Sequence, residues 1–266
     1  MKRIVFTTAL VVALAVAAAA VGSDASSNAN AACTSLRAKM GQTAFAHAYS
    51  SFGACVASMA PVEQKNVSSA NALCTTEQGD AAFAASHSGK TFEQFYGAGK
   101  KGKNAFGNCV STKAKASSQA EQQSRPNPSR SCRGLRTQMG AQAFTALYGK
   151  SATARNAYGK CVSAWARAQT NNELNAAAAC TTEQNDAAFP AAHTGKTFAQ
   201  FYGTDAALAN AFGQCVSAKA KAATQARQTA TVSAAKTCAG ELHANRAAFK
   251  TKYGTFGRCV SQHMSQ

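Results

Sequence analysis

The string aromatic-Gly-x-Cys-Val recurs five times in this chain: FGACV (52–56), FGNCV (106–110), YGKCV (158–162), FGQCV (212–216) and FGRCV (256–260). A Phe-x-x-x-Tyr precedes each: Phe45/Tyr49, Phe92/Tyr96, Phe144/Tyr148, Phe198/Tyr202 and Phe249/Tyr253. One further cysteine precedes each of those pairs. Such self-similarity is the signature of a repeat architecture, and it constrains the fold more than any composition does. Ten cysteines allow roughly a thousand pairings. Two per repeat reduce these to one economical scheme: Cys33–Cys55, Cys74–Cys109, Cys132–Cys161, Cys180–Cys215 and Cys238–Cys259. Repeats one, three and five are plain. Repeats two and four are longer, through the near-copies CTTEQGDAAFAASHSGKTFEQFYG (74–97) and CTTEQNDAAFPAAHTGKTFAQFYG (180–203). The order reads as a duplicated two-repeat unit with a final half unit.

An even number of cysteines fits an oxidising compartment. The N-terminus agrees. Lys2 and Arg3 precede an almost wholly apolar run over residues 4–21, followed by small residues, which is the pattern of a secretory signal. We expect a signal peptide over residues 1–25 and a secreted or extracytoplasmic protein. The chain has a formal charge of +17, and losing Lys2 and Arg3 with residues 1–22 would leave +15. The remainder has no isoleucine and only scattered leucine and valine. Phenylalanine, tyrosine, alanine and cystine must build its core, and several stapled modules suit that supply better than one large core.

The plain repeat spaces Cys132, Leu135 and Met139 at i, i+3 and i+7, and Phe144 and Tyr148 at i and i+4. That is helical periodicity. Gly41 and Gly140 are placed to break the first helix. Asn104, Asn156 and Asn210 are expected to cap the second. The fold class expected is all-α: tandem disulfide-stapled helical hairpins, five repeats in all. SRPNPSR (124–130) is the clearest break, because proline restricts both itself and the residue before it. The expected organisation is repeats one and two over 26–123, a linker over 124–131, and repeats three to five over 132–266. Pro61 is expected to mark a weaker break.

Glu77, Asp80 and His87, repeated as Glu183, Asp186 and His193, are the candidate chemical groups. On one continuous helix each trio would fall within about 80°, an arrangement open to acid–base or metal chemistry. Pro190, standing where Ala84 stands in the sister copy, argues against such a helix. Asp80 and Asp186 then read as caps of a short helix, with His87 and His193 at its C-terminal end. The Gly-Lys-Thr lacks the glycine that a phosphate-binding loop has five residues earlier. Gly89 and Gly195 instead close one helix. Thr91 with Gln94, and Thr197 with Gln200, form capping boxes for the next. Paired, exported cysteines offer no thiolate for catalysis or zinc. No metal or cofactor is expected.

Basic charge remains as the functional lead. Lys113, Lys115, Arg167, Lys219 and Lys221 follow the second cysteines, and AGKKGK (98–103) is a basic loop. These features point to an anionic partner: an envelope polymer, a polysaccharide or a nucleic acid. The string F-x3-Y-G followed by N-A-[FY]-G-x-C-V-S resembles a module of uncharacterised exported bacterial repeat proteins. The resemblance spans most of residues 33–261 and implies no activity. The reading is therefore an exported, non-enzymatic protein that binds anionic polymers, with no specific small-molecule ligand expected. A cationic membrane-active or antimicrobial factor, and a hydrolase using the Glu/Asp/His set, are the alternatives.

Overall fold

The computed structural model describes residues 11–98, 102–149 and 156–265, and for residues 11–23 the backbone alone. Residues 1–10, which open the expected signal peptide, lie outside the described residues. The chain is all-α: among the described residues there is no strand, only an isolated bridge between Ala98 and Lys103. No described helix is long and apolar enough to cross a membrane.

Repeat one is built by α1 (Val11–Met40), α2 (Gln42–Ala48) and the start of α3 (Phe52–Gly79). Repeat two follows with the end of α3, α4 (Phe83–Ser86), α5 (Phe92–Tyr96) and α6 (Ala105–Ser124). Repeat three has α7 (Pro128–Met139), α8 (Ala141–Tyr148) and the start of α9 (Ala157–Gln184). Repeat four continues with α10 (Phe189–Ala192), α11 (Phe198–Tyr202) and the start of α12 (Ala211–Ala244). Repeat five ends the chain with α13 (Arg246–Tyr253) and α14 (Phe256–Met264). The second helix of one repeat is thus also the first helix of the next, in α3, α9 and α12. Pro61 lies inside α3 and does not interrupt it, contrary to expectation. Alanine-rich, lysine- and glutamine-bearing sequence propagates helix well enough to run on between repeats.

All five disulfides join the expected partners, with Cα–Cα separations of 6.0–6.1 Å. Each closes a loop worth about 3–4 kcal/mol of lost unfolded-state entropy. Gly41 and Gly140 bend the chain between α1 and α2 and between α7 and α8, with φ of 78° and 84°. Left-handed backbone there favours glycine. The capping boxes at Thr91/Gln94 and Thr197/Gln200 form as expected. The asparagines do not cap as expected. Asn104 and Asn156 adopt φ of 59° and 73°, a conformation that asparagine tolerates better than most residues. The Asn210 amide instead latches the preceding loop, accepting from Thr204 N–H and donating to its hydroxyl.

The proline segment also departs from expectation. α7 already begins at Pro128, with the Asn127 side chain accepting from Ser129 and Arg130 N–H. Only residues 125–127 lie outside helix. Arg125 is buried, 3.0 Å from Glu173, and donates to Thr170. The stretch expected to be a linker is therefore an anchored corner, and the compact units are not consecutive segments.

Two units emerge. The first comprises the chain up to Ala32, Met59–Glu121 and Ala177–Cys215; the second comprises Cys33–Ser58, Gln122–Ala176 and the chain from Val216. From first to second cysteine, long repeats two and four fall in the first unit, and plain repeats one, three and five in the second. The first unit buries Val67, Cys74, Phe83, Phe92, Cys109 and Val110 together. Its α6 and α12 approach so closely that a Cβ on Gly213 would collide with the Ser117 backbone. The second unit has a larger core, gathered around Leu135, Phe144, Trp165, Phe249 and Phe256.

Candidate functional sites

Glu77 and Glu183 stand three residues after the first cysteine of their repeats. On a helix that offset places a side chain over the adjoining turn, beside the disulfide. The Tyr96 hydroxyl donates to Glu77 Oε2 at 2.9 Å, and Lys113 Nζ lies 2.8 Å from Oε1. In the sister repeat the Tyr202 hydroxyl donates to Glu183 at 2.8 Å. Both carboxylates thus accept from the tyrosine of the Phe-x-x-x-Tyr motif. Burial, with the hydrogen bond and charge of Glu183 added, pushes the Tyr202 phenol up to about 12. Tyr96 is raised further by burial, the charge and hydrogen bond of Glu77, and Asp205.

Lys113 is 2 % exposed. It belongs to this interior ion pair and not to the basic surface expected from the sequence. Its position, four after the second cysteine, is the clue that the sequence reading missed. The residue three after the first cysteine is Leu36, Glu77, Leu135, Glu183 and Glu241 in the five repeats. The residue four after the second is Met59, Lys113, Trp165, Lys219 and His263. A glutamate at the first position goes with lysine or histidine at the second. A leucine goes with methionine or tryptophan. In repeat two the two positions form an ion pair, and in repeat three they hold two buried apolar side chains of one core. In repeat five, His263 Nε2 lies 3.0 Å from Glu241 Oε1 and Lys252 3.6 Å from Oε2. Hydrogen bonding from Tyr253 holds the Glu241 carboxyl below its usual range against some desolvation, with His263 and Lys252 adding to the effect. Cys238, Cys259 and His263 also cluster closely, but the two sulfurs are bonded to each other and present no thiolate to a metal.

Asp80 and Asp186 do not cap α4 and α10 directly. The capping positions are Ala82 and Ala188, without a side-chain bond. Each aspartate accepts instead from the alanine N–H two residues on, at 2.8 Å. This is an Asx turn, which sets up the short helix that follows. His87 and His193 do stand at the C-terminal end of α4 and α10. Each ring stacks on a phenylalanine four residues earlier, Phe83 or Phe189, with centroids 3.7 Å apart. Each Nδ1 lies 2.8 Å from that phenylalanine's carbonyl oxygen. A carbonyl only accepts, so Nδ1 carries a proton.

Glutamate, aspartate and histidine therefore have separate employments: an interior lock, a turn and a stacked ring. No hydrogen bond among the described residues joins them into a catalytic set. The histidines do join an aromatic knuckle. Phe95 meets His87 edge-on at 4.7 Å, and Phe201 meets His193 at 4.5 Å. These phenylalanines are 38 % and 45 % exposed, the exposed large hydrophobics of the described chain. The turn just after each histidine delivers an exposed lysine, Lys90 or Lys196, whose backbone N–H donates to the histidine carbonyl at 3.1 Å. Of the basic loop over 98–103, residues 99–101 lie outside the described residues.

Fold and sites together define a class: an all-α protein of disulfide-stapled helical repeats, two of them carrying an exposed aromatic knuckle. No protein-family description, curated protein or solved structure matches this chain.

Proposed function

We propose that this is an exported, non-enzymatic binding protein whose ligand is an extended polyanion. The observation that carries the reading is the duplicated knuckle. Phe95 against His87, and Phe201 against His193, put an exposed ring on a histidine twice over, with an exposed lysine, Lys90 or Lys196, three residues further along the chain. Rings supply sequence-tolerant stacking surfaces, and cations attract a charged backbone. Lys115, Arg167 and Lys221 are further exposed cations on a strongly basic chain. Five disulfides and the N-terminal signal pattern support an extracytoplasmic setting.

The test is binding of the full mature chain to an acidic polysaccharide, to single-stranded DNA and to anionic vesicles at two salt concentrations. Binding to a polyanion should weaken at least tenfold from low to physiological salt. Replacing both Phe95 and Phe201 by alanine should weaken it roughly tenfold more, about 1 kcal/mol or somewhat above. The polysaccharide and DNA arms distinguish the source of the charge. Failure to bind either polymer overturns the reading. Salt-insensitive vesicle leakage would do so in favour of a membrane-active factor.

A further inference from the structure

The motif tyrosine donates to a glutamate in repeats two and four, whereas repeat three, like repeat one, has no glutamate at that position. Leu135 occupies the glutamate position there, and Trp165 the cation position. The Trp165 indole N–H donates to the Tyr148 oxygen at 3.1 Å. A phenol has one proton to give, and this bond uses only its acceptor side. Among the described residues no acceptor takes the Tyr148 proton. Tyr148 and Trp165 line a pocket of about 160 Å³ within the second unit, together with Leu147, Arg227, Val260 and Met264. Arg227 has no carboxylate partner among the described residues. Its counterparts twelve residues after the second cysteines of repeats one, two and three are Val67, Glu121 and Glu173, so a cation at this place is particular to α12.

The pocket combines apolar lining with the Tyr148 hydroxyl and the Arg227 guanidinium, neither paired with a carboxylate among the described residues. Ligand sites generally combine apolar lining with a few placed polar groups. A cavity of about 150 Å³ with apolar walls admits benzene, so this one has room for a single ring. Arginine presents a planar fork of donors matched to a carboxylate, and a hydroxyl can complete the bond pattern. Burial raises Tyr148 above the ordinary phenol range, although the Trp165 bond and Arg227 oppose it. The phenol therefore stays protonated, and a donor, at neutral pH.

We propose that this pocket binds a small aromatic carboxylic acid, its carboxylate held by Arg227 and the Tyr148 hydroxyl and its ring against Trp165 and Met264. This departs from the sequence-based expectation of no small-molecule ligand, and it rests on residues other than those of the knuckle. The chain has one tryptophan, so binding reports directly on Trp165 fluorescence. Full-length protein titrated with benzoate should give a saturable change. The exposed Arg227→Gln should weaken binding at least tenfold. Tyr148→Phe, which keeps the ring, should weaken it several-fold. Benzyl alcohol, of similar size but neutral, should bind at least tenfold less tightly than benzoate. A linear response in the unaltered protein is collisional quenching and overturns the proposal. So does a benzoate affinity unchanged by Arg227→Gln, or equal affinity for benzyl alcohol.

Discussion

The two units solve one packing problem in two ways. In the first unit, the position beside the disulfide is Glu77 with Lys113, tied to Tyr96. In the second, repeat three fills it with Leu135 and Trp165, both buried. Burying a charge pair costs desolvation that a hydrophobic pair does not incur. The charged solution therefore gives specificity more than net stability, since either partner alone becomes a liability. In repeat five the pair stays half-exposed and closes on a histidine.

Exchange of one solution for the other is the sharpest test of that comparison. Glu77→Gln leaves Lys113 with a neutral partner in the interior. Breaking a buried pair costs about 3–5 kcal/mol, and the partial exposure of Glu77 puts this case near 3. Lys113→Met alone should cost about 2 kcal/mol, because Glu77 keeps Tyr96 and some solvent. Glu77→Leu with Lys113→Met installs the pair of repeat one. The double variant should return to within about 1 kcal/mol of the unaltered protein. Denaturant unfolding of all three closes the cycle. Additive losses in the double variant would show that the first unit requires the charges themselves.

A second contrast lies further along the helices. Counting from the cysteines, α3 and α6 place Glu63, Asn66, Ser118 and Glu121 where α9 and α12 place Gln169, Asn172, Thr224 and Arg227. The buried Asn66 amide donates to Glu63 at 3.1 Å and to Glu121 at 3.2 Å. Asn172 donates to the neutral Thr224 hydroxyl at 3.0 Å. Asn66 answers two buried acceptors and Asn172 one. Asn66→Ala should therefore cost about 2 kcal/mol and Asn172→Ala about 1. Equal costs would mean that the Asn66 amide does not answer the two carboxylates.

What was legible in the sequence follows the same division between local and non-local physics. Disulfide pairing, the capping boxes and the glycine bends depend on residues within one repeat, and repetition displayed the cysteines five times and the boxes and bends twice each. The partition into a long-repeat unit and a plain-repeat unit joins stretches far apart in the chain, and nothing local announces it. Pro61 looked like a break because its cost is local, whereas the alanine-rich helix that carries it through is not. Glu77 looked chemical because its lysine lies 36 residues away (113 − 77). The pairing was nonetheless written in the chain, in the way the residue types at the two offsets vary together from repeat to repeat.

The smallest effect concerns how each unit treats the motif tyrosine. Tyr202 is raised to about 12 by burial first and by Glu183 second. Below pH 10 its phenol is protonated in both folded and unfolded chains, and the stabilisation is fully present. As pH rises from 10 through about 12, the unfolded chain ionises first and that contribution is lost. Native tyrosinate absorbance should therefore show a late phase that Tyr202→Phe removes. Glu183→Gln takes away the second cause and leaves burial, so the midpoint should move part of the way back toward 10. Tyr148 offers the opposite case: with Leu135 in place of a glutamate, and with Trp165 and Arg227 opposing burial, it should titrate before Tyr202. An unmoved midpoint in Glu183→Gln would mean that burial alone raises Tyr202. The hydroxyl–carboxylate bond would then not be what separates the charged repeats from repeat three.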